Sequence, residues 1–399
     1  MTPKRVILGF SGGLDTSFCV KYLIQDRGME VHSVLVDTGG FTGAELEQIE
    51  AHAYRLGVKT HTTVNAVKTY YERIVKYLVF GNVLKNQTYP LSVSAERLIQ
   101  ALEIVKVAKE KGVEIVAHGS TGAGNDQVRF DLIFHVLLPN AEIITPIRDL
   151  KLSRDDEIAY LKKCGVEMDA KKAAYSINKG LWGTSVGGRE TLKSMGRLPD
   201  EAWPTPVTKT GTETVTLGFK QGELISVNGS TFLDPVEAIR KLSAIAAPYG
   251  IGRDIHVGDT IIGIKGRVGF EAAAPILTIK AHHLLEKHVL TKWQQNLKEQ
   301  LAQFYGNALH EGQILDPVMR NIESFFSDSQ KHVTGTVSIE LHPYRFVFLG
   351  VESEFDLMSS KFGSYGEMNS GWTGDDVRGF SKIFGNQLKI FHTVTECKK

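Results

Sequence analysis

A doubly wound α/β domain, followed by an α+β domain and a C-terminal tail, is the architecture this sequence predicts. Two observations carry that expectation. Over residues 1–165, short β-branched runs alternate with longer amphipathic stretches, the pattern of a parallel sheet with crossover helices. Beyond about Lys172, short alternating runs are separated by glycine-rich turns, which is α+β in character. The chain accordingly divides into 1–165, 166–362 and a tail of 363–399.

The first part predicts strands at Arg5 to Phe10, Val31 to Asp37, Thr60 to Val64, Glu114 to His118 and Glu142 to Ile147. Helices are expected between them at Asp15 to Asp26, Ala44 to Leu56, Val67 to Phe80, Ser94 to Lys111 and Arg154 to Lys163. In the second part, Thr214 to Phe219, Gly222 to Val227 and the strand–turn–strand His332 to Val351 read as β-structure. Pro235 to Ala247 and Ala281 to Tyr305 read as helices. The tail from Phe355 is rich in Gly, Ser and Asn and has too little apolar surface to fold alone, so it is expected to dock on another subunit.

Charge narrows the function classes. The 46 basic residues nearly balance the 45 acidic ones, leaving a net charge of +1 and no excess positive field to hold nucleic acid. Cys19, Cys164 and Cys397 are spread without CxxC spacing, which speaks against a disulfide framework or a zinc site and for a reducing cytoplasm. No run approaches the roughly 20 apolar residues that span a bilayer, and Met1 to Arg5 leads straight into a strand pattern. No membrane partner is expected.

The sharpest motif is SGGLDTS, Ser11 to Ser17, between a strand and a helix. Without a Cβ at Gly12 and Gly13, consecutive amides can turn inward on phosphate oxygens, and the helix adds its positive dipole end. Hydroxyls of Ser11, Thr16 and Ser17 supplement those donors. The run lacks the Gly-Lys-Ser/Thr ending of a Walker loop and is not GxGxxG. Asp15 either meets Mg2+ or an amide, or is a first-turn carboxylate that favours the helix dipole. Taken by itself, the run also fits an ordinary glycine turn capping a helix. It resembles the PP-loop of the ATP pyrophosphatases, which cleave ATP between its α and β phosphates, and that resemblance implies that the first part is a nucleotide-binding domain.

A second motif, His118 to Phe130, reads HGSTGAGNDQVRF and follows the strand at Glu114 to Ala117, so it falls at the same sheet edge. Thr121 offers a hydroxyl and an amide for a carboxylate. Asn125 and Asp126 can hold an ammonium or amide, and Arg129 can fork onto a carboxylate. The set suits a zwitterionic amino acid. His118 is either a base or a structural histidine at a strand end.

This second motif closely resembles that of the argininosuccinate synthase family, with Ala123 where the family usually has lysine. Three further segments extend the resemblance: TYPLSVSAERL, YSINKGLWGTS and IGIKGRVGFE. It implies a PP-loop ATP-binding domain, a synthetase domain and a homotetramer in which the tail reaches a neighbour. It implies Gly9, Phe10, Ser11, Gly12, Gly13, Leu14, Asp15, Thr16, Ser17, Val36 and Gly119 at ATP. Citrulline would meet Tyr89, Ser94, Asn125, Arg129, Ser176, Ser185, Gly258 and Phe270, and aspartate would meet Thr121, Asn125 and Asp126. Taken by itself, Tyr89 also fits a packing residue, and Ser176 and Ser185 fit turns or caps.

The implied reaction adenylates the ureido oxygen of citrulline with ATP and Mg2+, after which the amine of aspartate displaces AMP. Ser11, Asp15, Asn125 and Asp126 are the expected catalytic set, with no metal held by the protein itself. Gly258 and Phe270 stand where the family usually has glutamate and tyrosine, and Gly187 replaces another acidic residue, with Arg189 close behind. These departures raise an alternative ureido substrate, an Nα-acylated citrulline. A different class of reading is a nucleotide-binding assembly protein without catalysis.

Overall fold

The computed structural model describes residues 3–167, 175–359, 365–367 and 371–396. Cys397 and the expected boundary at 362/363 lie outside the described residues. Strands β1 (Arg5–Gly9), β2 (Glu30–Asp37), β3 (Thr60–Asn65), β4 (Ile115–Ala117) and β5 (Glu142–Ile144) form a parallel sheet in the order β3-β2-β1-β4-β5. The chain steps outward from β1 to β3 and then returns to place β4 beside β1. That reversal is a topological switch point, and ligands of such sheets bind beyond the carboxyl ends of the strands that flank it, here β1 and β4.

Helices cover both faces: α1 (Leu14–Gln25), α2 (Gly43–Leu56), α3 (Val67–Tyr70), α4 (Lys76–Phe80), α5 (Glu96–Lys111), α6 (Asp126–Leu137), α7 (Pro146–Asp149) and α8 (Arg154–Lys163). Alternation along β1 divides the core. Val6 and Leu8 pack with Phe18 and Leu23 of α1, Leu56 of α2 and the C-terminal part of the sheet, whereas Ile7 packs with Leu98 and Ile104 of α5 and Ile133 of α6. Local chemistry sets the helix ends: Thr42 and Glu45 form a capping box on α2, Ser153 and Asp156 another on α8, and Gly57 ends α2 at φ 102°.

The second part contains two antiparallel sheets. One joins β8 (Glu213–Lys220), β9 (Glu223–Val227), β10 (Ser230–Thr231), β13 (Gly335–His342) and β14 (Arg345–Glu352) in the order β10-β9-β8-β13-β14. The other joins β6 (Ser176–Gly180), β7 (Gly183–Gly187), β11 (Arg253–Asp259) and β12 (Lys265–Glu271) as β11-β12-β7-β6. Helices α9 (Pro235–Ala246), α10 (Ala273–Val289), α11 (Lys292–His310) and α12 (Pro317–Ser329) complete it. The tail carries α13 (Gly374–Phe384) and α14 (Asn386–Glu396), with no buried residue in either.

Three departures from the expected elements have physical causes. The single helix expected over Ala281 to Tyr305 is two helices, because Leu290 is extended and Thr291 forms a capping box with Gln294. A wider π turn at Tyr71–Val75 interrupts the helix expected over Val67 to Phe80. A helix not expected from the pattern, α6, begins at Asp126 inside the second motif. Its Val128, Phe130, Leu132, Ile133, Phe134 and Val136 leave no polar stripe to give it away.

Candidate active site

The phosphate loop follows β1 at the switch point. Gly12 takes φ +76°, and Gly13 caps α1 with extended backbone and no side-chain cap, leaving the first helix amides for a ligand. Ser11 Oγ lies 3.3 Å from Thr16 Oγ1, which also donates to the Gly13 carbonyl at 3.3 Å, so the two hydroxyls are held together over the turn. Ser17 is buried, its Oγ 2.9 Å from His52 Nε2. Gly9 ends β1, while Phe10, Leu14 and Val36 are buried beside the loop.

Gly119 brings the second motif onto this loop. A Cβ there would lie 3.3 Å from the Asp15 carbonyl carbon and 3.3 Å from Thr16 Cγ2, so a side chain at 119 would press on the loop and its neighbours would have to shift. Thr121 is exposed along the same stretch. Asn125 Oδ1 accepts the Ile261 amide at 2.8 Å, which ties the motif to the β11–β12 turn.

At the start of α6, Asp126 accepts from Arg97 Nε at 3.0 Å and from Arg129 Nη1 at 2.9 Å. Burial works against its ionisation, but the two guanidiniums outweigh it and hold the carboxyl below the usual range. Arg97 is a hub. Its Nη1 donates to Glu96 and Gln100, and its Nη2 donates to Asn178 Oδ1 at 2.7 Å. Arg129, 3% exposed, donates through Nε and Nη2 to the His310 carbonyl at 3.0 and 2.9 Å. Its fork therefore closes on the His310 carbonyl, while Nη1 reaches Asp126.

Of the expected citrulline residues, Ser176, Ser185, Gly258 and Phe270 lie on the second sheet, and Tyr89 packs against it. Tyr89 is buried between Phe270, at 5.3 Å between ring centroids, and His256, at 5.0 Å. Ser94 is buried with no partner for its Oγ among the described residues. Ser185 pairs across the sheet with Phe270 and with Asn178, and Gly258 pairs with Gly266. Ser176, opposite Gly187, is exposed. Arg189 does not turn inward: its side chain is 91% exposed and paired with Glu190.

Three carboxylates around the site, Glu96, Glu157 and Asp15, have raised pKa values. Glu96 is buried with Oε2 accepting from Thr38, and burial pushes it up to about 7 against the lowering effect of Arg97. Glu157 on α8 faces Asp15, and burial together with that negative neighbour pushes it up to about 8. Burial raises Asp15 too, so near neutral pH the pair holds a proton and the phosphate loop carries less negative charge. His118 is engaged at both nitrogens, with Asp131 at 2.9 Å and the Ser120 amide at 3.2 Å, as befits a structural histidine.

Family models cover nearly the whole chain. The arginosuccinate synthase N-terminal HUP domain matches residues 5–167, and the arginosuccinate synthase C-terminal domain matches residues 175–391. The chain belongs to the argininosuccinate synthase family. Argininosuccinate synthase of Xanthomonas campestris pv. campestris is 38% identical, covering 99% of this chain and 100% of that protein. Those of Methanocaldococcus jannaschii (38%, 97% and 98%) and Pyrococcus furiosus (36%, 98% and 95%) are similar over comparable spans.

Within this argininosuccinate synthase fold, the sequence motifs do not single out Arg97, Glu96, Asn178, Glu157 or His256. Arg97 and Glu96 stand in the quoted segment TYPLSVSAERL, where a Glu-Arg pair at a helix start beside candidate ligand residues is a usable signal. Glu157 carries none, because its partner Asp15 is far away in sequence.

Proposed function

We propose that the protein works as an argininosuccinate synthase, an ATP-dependent ligase of arginine biosynthesis that joins citrulline to aspartate and releases AMP and pyrophosphate. One observation carries the reading beyond family membership: Gly119 packs the Thr121–Asn125–Asp126 motif directly on the phosphate loop. A nucleotide on that loop and an amino acid on that motif then share one crevice.

A ureido carbonyl oxygen is a poor leaving group, so activation precedes ligation. Loop amides and the Ser11 and Thr16 hydroxyls suit the departing pyrophosphate, with the N-terminus of α1 behind them. No cluster of three or more His, Cys, Asp or Glu side chains able to hold a metal occurs among the described residues. This donor set fits phosphate better than a metal cage, so Mg2+ enters with the nucleotide as MgATP. Asp126, kept anionic by Arg97 and Arg129, orients the aspartate amine, and positioning carries most of the second step.

The site residues expected from the sequence are proposed in those roles, together with the division at 165/166. A homotetramer is proposed because α13 and α14 leave Val377, Phe380, Ile383, Phe384, Leu388 and Phe391 exposed, which suits a second copy. The cytoplasm is proposed as its setting, and no described helix is long and apolar enough to cross a membrane. An acylated ureido substrate gains no support from Arg189, which faces solvent. Relative kcat/KM values for citrulline, acetylcitrulline and succinylcitrulline test that alternative, and citrulline is expected to be preferred. The reading as a whole is tested by nucleotide products: AMP and pyrophosphate that depend on both amino acids support it, and ADP with phosphate would refute it.

A further inference from the structure

Asparagine at a helix N-cap ordinarily spends its side-chain oxygen on an amide of its own first turn. Asn125, the N-cap of α6, does not: its side chain caps nothing in that helix. Its Oδ1 instead accepts the Ile261 amide at 2.8 Å, from a turn 136 residues further along the chain. An N–H can be met only by the carboxamide oxygen, so this bond decides which way the side chain is turned. The NH2 of Asn125 has no partner among the described residues and is left as a pure donor.

The turn that supplies the amide is held by its own side chain. Thr260 Oγ1 donates to the Ile264 carbonyl at 2.7 Å and accepts the Ile264 amide at 3.0 Å, while the Thr260 amide donates to the same carbonyl at 2.8 Å. The Gly263 amide closes on the Thr260 carbonyl at 2.9 Å, with Gly263 at φ +84°. Asp259 and Lys265, paired at the end of the β11–β12 ladder, are joined by an ion pair at 2.6 Å. Together these bonds fix where the Ile261 amide stands. The residue after Asn125 has the opposite character: Asp126, held anionic by Arg97 and Arg129, can only accept. Neighbouring residues thus offer a ligand one donor and one acceptor, a pair that tells a carboxylate from an ammonium.

We propose that Thr260 and Ile261 are positioning residues for the selection of aspartate: the β11–β12 turn takes up Asn125 Oδ1, so that the NH2 and not the oxygen meets a substrate carboxylate while Asp126 meets the amine. The assignment rests on the ligase reading above. Without the turn the carboxamide is free to flip, and a flipped carboxamide sets oxygen against oxygen.

Asn125→Asp tests the orientation, because a carboxylate still accepts the Ile261 amide but turns an oxygen to the ligand. It should raise the KM for aspartate at least about threefold more than Asn125→Ala does, and an equal or smaller rise would overturn the proposal. Thr260→Val keeps the branched shape and removes the hydroxyl. It should raise the KM for aspartate about threefold to tenfold, less than outright loss of a hydrogen bond to a charged group because the flip is partial, with the KM for ATP within about twofold. Thr260→Ser should restore the parent value. Introduced into Asn125→Ala, Thr260→Val should add nothing, since the group it orients is gone. The same rise in both backgrounds, equal rises for aspartate and ATP, or no rise in folded Thr260→Val would each overturn the assignment. Absence of AMP formation by the unaltered enzyme would instead count against the ligase reading.

Discussion

Arg97 donates through Nε to Asp126 at 3.0 Å, and through Nη2 to Asn178 at 2.7 Å, so one guanidinium joins the first turns of α5 and α6 to the second sheet. Both ends of the candidate site are thereby referenced to a single planar group.

Replacing Arg97 with lysine leaves one ammonium to serve four acceptors that a fork now meets at fixed angles. Loss of a charge-assisted contact to Asp126 costs roughly 1.5–3 kcal/mol, which predicts a fall of about tenfold to a hundredfold in kcat/KM for aspartate. Steady-state kinetics with aspartate varied checks this. Unaltered aspartate kinetics would mean that Asp126 does not depend on Arg97 for its orientation.

Gly12→Ala places a Cβ at φ +76° and 3.2 Å from the Ile49 side chain. Left-handed backbone costs a non-glycine residue roughly 1–2 kcal/mol, and the loop relieves it by turning its amides away from the phosphates. The KM for ATP should rise at least about tenfold with far-UV circular dichroism unchanged. Ser11→Ala should move it in the same direction. Normal ATP kinetics in both variants would remove the loop from the nucleotide site.

Glu96 gives a pH signature in stability. Its folded pKa of about 7 lies above the ordinary 4.5, so between those values the folded state binds more protons than the unfolded state. Stability therefore falls as pH rises from about 4.5 to 7 and levels off above, by on the order of 3 kcal/mol from this group. Glu96→Gln should flatten that part of the denaturation-midpoint profile and leave the variant more stable than the parent at pH 8. Glu157, raised in the same sense, remains in both proteins and cancels in the comparison. Parallel profiles would show that Glu96 titrates normally.

What could be read in advance was local. A strand, two glycines and a helix stand contiguously in SGGLDTS, so the phosphate loop and the five strands around it follow from neighbouring residues. The break between α10 and α11 is missed by the apolar pattern, although Thr291 and Gln294 form a local capping signature. Arg97 was not, because its partners lie 29 and 81 residues away and no spacing rule connects them. The stack of the His256 ring on Tyr89 is likewise a product of the fold that no sequence spacing signals.

The tail offers a test of assembly. Amphipathic α13 and α14 bury nothing within the chain, so their apolar side chains need a partner surface. Deleting residues 363–399 should lower the assembly state seen by sedimentation velocity, and a truncated protein that keeps the full-length state would contradict docking on a neighbour.

The most direct test of the central claim is the fate of the ureido oxygen. With citrulline labelled with oxygen-18 at that position, attack on the α-phosphate predicts that the label leaves in AMP, in step with pyrophosphate release and only when aspartate is present for turnover. Label recovered in inorganic phosphate together with ADP would contradict the account.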